Sequence, residues 1–75
     1  MNKILAIIGA GDLGRQIAYH AINDSHFNTI VFFDDFNQNK LVDECKILGK
    51  IENILDFYNK DFFTHLIIGV GYKHM

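Results

Sequence analysis

The sequence predicts an α/β fold, a small parallel sheet wound with helices, and three observations carry that expectation. The run Lys3-Ile4-Leu5-Ala6-Ile7-Ile8 is apolar without alternation, the pattern of a strand buried on both faces. It ends in a glycine turn, Gly9-Ala10-Gly11-Asp12-Leu13-Gly14, and the residues after that turn have helical periodicity. Two further apolar runs, at 29–34 and 64–68, read as strands.

Taken in order, the elements read β-α-β-(loop)-α-β. After the first strand, residues 12–24 form a helix. Leu13, Ile17, Ala18, Ala21 and Ile22 recur at three- and four-residue spacing, with Arg15, Gln16, His20 and Asn23 opposite. Asp12 stands where a carboxylate caps or complements the helix start. Asn23-Asp24-Ser25 ends the helix with turn-forming residues. The second strand, 29–34, is β-branched and aromatic, and the polar residues 35–40 read as loop. The signal is weak over 41–49, where Cys45-Lys46-Ile47-Leu48 adds at most a short extended piece before Gly49. Residues 51–58 read as a second helix with an apolar stripe of Ile51, Ile54, Leu55 and Tyr58. The third strand, 64–68, is ended by Gly69. The expectation is a Rossmann-like sheet of three parallel strands. Right-handed crossovers bring all three strand ends to one edge, where open parallel sheets bind ligands. That edge holds residues 9–14, 34–37 and 69–72.

Composition excludes several functions. With 49% hydrophobic and 21% charged residues the chain is ordinary globular protein. A net charge of -2 with no run of lysine and arginine argues against nucleic acid as a partner. No stretch approaches the roughly 18 apolar residues of a membrane helix, so no membrane partner is expected. The apolar run at 3–8 is too short for a signal peptide, and Asp12 and Arg15 soon bring charge into the chain beyond it. The lone Cys45 excludes an internal disulfide and fits a reducing compartment, hence a cytoplasmic location. No two histidines share metal-ligand spacing, so no metal is expected.

Size points to missing context. A chain this short buries only about 60% of its unfolded surface. It ends just past an apolar strand, where an α/β fold normally turns into its next helix, and has too few elements to cover both faces of a parallel sheet. We therefore expect a fragment of a larger protein, or a chain that relies on a partner. Phe32, Phe33, Phe36, Phe57, Phe62 and Phe63 are expected in the core or in inter-domain packing, with the Phe62-Phe63 pair marking an interface.

The chemistry concentrates at the glycine turn. Of its three glycines, the first permits the tight turn, the second lets a phosphate approach the backbone, and the third allows close helix–strand contact. Free amides at the helix start and the helix dipole attract a phosphate. The alternative is a turn kept for packing only. Asp12 occupies the same positive end, either as an outward, solvated carboxylate or as an inward one that weakens phosphate binding. Asp34 lies twenty residues after Gly14, at the end of the second strand, where dinucleotide folds place the acid that accepts ribose hydroxyls. With a nicotinamide dinucleotide, that acid would favour NAD over NADP. Asp35 alternates to the other direction, toward a base or the sugar. The plain alternative for the pair is an acidic turn start. Lys73 and His74 follow Gly71 at this edge, within reach of a phosphate, although disorder at a chain end is the simpler reading. Cys45 has no base beside it in sequence and reads as a structural thiol.

These residues resemble a known family. The segments Lys3 to Gly11, Phe32-Phe33-Asp34-Asp35, Ile47-Leu48-Gly49 and Ile67-Ile68-Gly69 are similar to the N-terminal domain of bacterial sugar O-/N-acyltransferases. UDP-N-acetylbacillosamine N-acetyltransferases and sialic acid O-acetyltransferases belong to that family, and the likeness covers essentially the whole chain. It implies that this domain holds a nucleotide sugar such as a UDP-4-amino-sugar. A following left-handed β-helix domain, as a homotrimer, binds acetyl-CoA and supplies a histidine base. On that implication Gly9, Gly11, Asp34, Asp35 and Gly69 line the substrate pocket; Asp12, Leu13 and Gly14 join the candidate substrate-binding residues through the glycine turn, and none of the eight is catalytic. Family members commonly read Gly-Gly-His-Gly where this chain has Gly11-Asp12-Leu13-Gly14. Three other readings stand beside it: the NAD-binding domain of a dehydrogenase, a non-catalytic nucleotide-sensing module, and a truncated product with no function.

Overall fold

The computed structural model describes residues 3–36 and 40–69. The elements are β1 (Ile4–Ile8), α1 (Asp12–Asn23), β2 (Thr29–Phe33), β3 (Leu41–Val42), β4 (Cys45–Gly49), a 3-10 turn (Ile51–Asn53), α2 (Ile54–Asn59) and β5 (His65–Ile68). Among the described residues they form one five-stranded sheet in the order β3-β4-β2-β1-β5. β1, β2, β4 and β5 are parallel, while β3 pairs antiparallel with β4. The sheet is therefore mixed and larger than the three parallel strands the sequence predicts.

The difference lies in 41–49. Leu41–Val42 and Cys45–Gly49 make a hairpin joined by Asp43 and Glu44, both with positive φ (50° and 69°). Such a two-residue turn normally announces itself as Asn-Gly or Asp-Gly. Here two side-chain-bearing acids adopt the strained conformation, so the sequence carries no turn signal. β4 then pairs with β2, with a register irregularity between Phe32 and Phe33.

The chain winds on both sides of this sheet. The register sets Leu5 beside Ile30 and Ile7 beside Phe32, and this face packs against Ala18, Ile17 and Ala21 of α1. The opposite face sets Ala6 beside Val31, and with Phe33 and Phe63 these residues pack against Ile54 and Phe57 of α2. Apolar residues at consecutive positions of β1 and β2 thus serve two cores, the physical reason these strands do not alternate.

Helix ends explain the aromatic arrangement. α2 is preceded by the 3-10 turn, so the predicted second helix is real but begins in tighter winding. It ends with Asp61 at φ 63°, and Phe62 N–H donates to the Phe57 carbonyl while Asp61 N–H donates to that of Tyr58. This closure brings Phe62 against Phe57, ring centroids 5.1 Å apart. The six phenylalanines expected in packing do not share one fate. Phe32, Phe33 and Phe63 are buried, Phe57 and Phe62 pack edge to face, and Phe36 stands in the open. The Phe62-Phe63 pair is split, with Phe62 44% and Phe63 5% exposed.

Beyond β1 the sheet is thinly covered. Leu66, Ile67 and Ile68 of the edge strand β5 are all exposed. No helix among the described residues is long and apolar enough to cross a membrane.

Candidate functional site

The spatial order of the parallel strands reverses at β1. The chain moves outward through β2 to β4, then returns to place β5 on the other side of β1. Adjacent strands whose connections leave in opposite directions open a crevice at their carboxyl ends, the usual ligand position in such sheets. The glycine turn sits at the carboxyl end of β1, beside that point.

Three glycines are fixed there by packing. Gly9 has φ 100°, a conformation that L side chains rarely adopt, and its N–H donates to the Phe33 carbonyl at 2.8 Å. A Cβ on Gly14 would lie 1.9 Å from the Gly9 carbonyl oxygen. A Cβ on Gly69 would lie 2.8 Å from Ile7 Cγ2 and 2.9 Å from the Gly14 Cα, and Gly69 N–H donates to the Ile8 carbonyl. The start of α1 is therefore held against the ends of β1 and β5 by three residues without side chains.

Gly11 differs. It is the N-cap of α1, with φ −84° and ψ −161°, extended backbone that any residue adopts. A Cβ there would meet nothing within 4 Å. No internal contact requires glycine at this position. The first intrahelical bond runs from Arg15 N–H to the Gly11 carbonyl at 2.9 Å, so the N–H groups of Asp12, Leu13 and Gly14 have no acceptor within the helix. Asp12 and Leu13 are exposed, and no side chain caps the helix. Asp12 thus complements the first turn without capping it.

Asp34 turns toward the glycine turn. Its Oδ2 accepts the Ala10 N–H at 2.7 Å and its Oδ1 accepts the Phe36 N–H at 2.8 Å. A carboxylate bonded to the N–H of a buried residue is a strong, charge-assisted tie between the ends of β1 and β2. One turn amide is thereby already taken, whereas the amides of Asp12, Leu13 and Gly14 keep no acceptor within the helix. Asp35 is directed elsewhere: its Oδ1 accepts the Ile51 N–H at 2.9 Å, which starts the 3-10 turn. The structure thus gathers Gly9, Gly14, Gly69 and Asp34 tightly, leaves Gly11, Asp12 and Leu13 open, and engages Asp35 with the backbone after β4. Lys73 and His74 lie outside the described residues, as does the remainder of the edge at 37 and 70–72.

One feature gave no sequence signal. Arg15 makes a two-point pair with Asp43 in the β3–β4 turn, Nε to Oδ2 at 2.8 Å with a second contact at 3.2 Å. The hydrogen bond from Arg15 holds the Asp43 carboxyl below its ordinary range, and the same bond raises the Arg15 guanidinium. With Asp12, Gln16, Tyr19 and His20 they line an open groove of about 370 Å³ along the outer face of α1. Asp43 is invisible as a partner in the sequence because the hairpin that carries it has no clear pattern. Cys45, beside this turn, is buried, and burial pushes its thiol up, as expected of a structural cysteine. No group of three potential metal ligands occurs among the described residues.

A small α/β domain with a mixed sheet, helices on both faces, and a glycine turn tied to an acidic strand end defines the class. Its family follows: the model of the PglD N-terminal domain matches residues 4–75, and the chain belongs to that family. PglD is a UDP-N-acetylbacillosamine N-acetyltransferase. No curated protein and no solved structure matches the chain.

Proposed function

We propose that this chain is the nucleotide-sugar-binding part of a bacterial sugar acetyltransferase, acting on a UDP-linked amino sugar. The observation that carries the proposal is Gly11. Gly14 and Gly69 are glycines because the chain's own atoms leave no room for a side chain, and Gly9 because its φ of 100° is one that L side chains rarely adopt. Gly11 faces open space at the start of α1, and glycine there costs conformational entropy on folding. A ligand backbone or phosphate approaching the helix-start amides supplies the reason. Family membership supports the choice of a nucleotide sugar over other phosphorylated ligands.

In this reading the pyrophosphate meets the N–H groups of Asp12, Leu13 and Gly14. Asp34, fixed by the Ala10 and Phe36 amides, faces the sugar or base, which offers donors to a carboxylate. Leu13 presents an apolar surface where the family commonly has histidine. The chain positions the sugar and exposes its amine or hydroxyl.

Acetyl-CoA supplies the acetyl group in such reactions, its thioester carbonyl being attacked by the sugar's amine or hydroxyl. In this reading the glycine-turn edge is taken by the nucleotide sugar. We therefore place acetyl-CoA and the base on a further domain, with a homotrimer as the complete assembly. The exposed apolar surface of β5 suits such an assembly.

Calorimetric titration with UDP-sugars, GDP-sugars and NAD tests the reading. Binding of a UDP-sugar is expected. Binding of NAD alone overturns the proposal in favour of a dehydrogenase, and binding of none leaves the turn a packing device.

A further inference from the structure

Phe36 is 92% exposed, far more than any other described phenylalanine. An aromatic ring in water forgoes the burial that normally holds it inside, and the sequence pattern places it in the core or in inter-domain packing. Its backbone is nonetheless held in place. Phe36 N–H donates to Asp34 Oδ1 at 2.8 Å, and Asp34 Oδ2 accepts the Ala10 N–H at 2.7 Å. One carboxylate therefore fixes both the exposed ring's backbone and the glycine turn. The neighbouring Asp35 is fixed too, through Ile51 N–H at 2.9 Å. Phe36 thus follows a doubly anchored segment at the carboxyl edge, tied through Asp34 to the glycine turn.

We propose that Phe36 is the stacking platform for the nucleobase of the bound nucleotide. The inference rests on the nucleotide-sugar reading and adds the subsite that receives the base. A planar ring held at the site's rim fits a π-face, which every base has, and base–aromatic stacking tolerates differences in base identity. Phe36 then contributes affinity for the base, while Asp34 and the helix-start amides orient the sugar and phosphates. A ligand with no base gains nothing from the ring.

The chain has no tryptophan, so Phe36→Trp creates a single indole reporter at the platform. UDP, ADP and ribose 5-phosphate are titrated into wild type, Phe36→Ala and Phe36→Trp, by calorimetry and, for the last, by fluorescence. Circular dichroism of both variants is expected to match wild type, because the side chain makes almost no internal contact. Phe36→Ala is expected to weaken UDP and ADP roughly ten- to a hundredfold, the loss of one stacked base, and to leave ribose 5-phosphate unchanged. Phe36→Trp is expected to retain nucleotide binding, with saturable quenching at the calorimetric midpoint. UDP bound equally well by wild type and Phe36→Ala overturns the stacking role and leaves the nucleotide-sugar reading standing. Equal weakening of ribose 5-phosphate also overturns it, by showing that the loop moved. Absence of UDP binding by wild type overturns both. Should Phe36→Ala misfold, tryptophan emission indifferent to bound UDP overturns the stacking role.

Discussion

The two edges of the sheet solve the same fastening problem with different chemistry. At the amino edge, neutral side chains tie neighbouring strands. Lys3 N–H donates to Asn28 Oδ1 at 2.7 Å, Ile4 N–H donates to Thr64 Oγ1 at 2.9 Å, and the Thr64 hydroxyl donates to the Ile4 carbonyl at 3.1 Å. At the carboxyl edge, carboxylates do the tying, through Asp34 on Ala10 and Phe36 and through Asp35 on Ile51. A neutral group suffices to join two strands, whereas a charge at a strand end adds desolvation cost and repulsion. The carboxyl edge also carries a glycine that packing does not require and a phenylalanine left in water. The difference teaches that the amino edge shows fastening alone, whereas the carboxyl edge adds to its fastening two features that the proposed ligand would explain.

The comparison breaks most severely at Gly14. A methyl there must displace either α1 or the Gly9 carbonyl, and Gly14→Ala is expected to cost about 3 kcal/mol or more. Urea unfolding checks it, and wild-type stability would show that the helix start yields easily. Asp34→Ala comes next. It strips the partner from the Ala10 N–H of a buried residue and is expected to cost about 1–3 kcal/mol as well as abolishing nucleotide binding. Asp34→Asn, which keeps one acceptor, should recover part of the stability. Thr64→Val sharpens the contrast from the other side. It removes the amino-edge hydroxyl for about 1 kcal/mol and should leave the affinity for UDP unaltered. Altered affinity would show that the two edges are coupled.

The smallest effect concerns the exposed Arg15–Asp43 pair. Because the folded-state pKa of Asp43 is lowered, its contribution is present above the ordinary aspartate value of 3.8 and is lost as pH falls through the folded value. The difference in urea midpoint between wild type and Asp43→Asn should be small at neutral pH and shrink toward zero below pH 3.8. A difference persisting in strong acid would mean that Asp43 acts through turn strain instead of charge.

Much of this is legible in the sequence, and the reasons are specific. The unbroken apolar run at 3–8 announces a strand with two covered faces and the β-branched, aromatic run at 29–34 a second strand, and the strands they form, β1 and β2, both serve two cores. The glycine spacing announces a strand-to-helix turn, and the distance to Asp34 announces which acid faces it. β4 is legible only as the short extended piece at 45–48, and β3 and the hairpin not at all, because their turn uses Asp43 and Glu44 where no glycine marks it. The bond from Asp35 to the Ile51 N–H is hidden for the same reason, since it depends on where β4 ends. Composition alone groups Phe36 with the buried phenylalanines, and nothing in the string distinguishes an aromatic placed for packing from one placed in water.

The most direct measurement is UDP affinity of Gly11→Ala against its unfolding midpoint. A methyl at this open position reduces the freedom of the unfolded chain, worth about 0.4–1 kcal/mol, but alanine caps a helix start less well than glycine by a comparable amount, so the unfolding midpoint should change little. The same methyl should obstruct the approach to the helix-start amides, so UDP binding is expected to be at least tenfold weaker in a protein of nearly unchanged stability. Undiminished UDP affinity in that variant would contradict the ligand role of the turn, since Gly11 would then have no ligand to make room for.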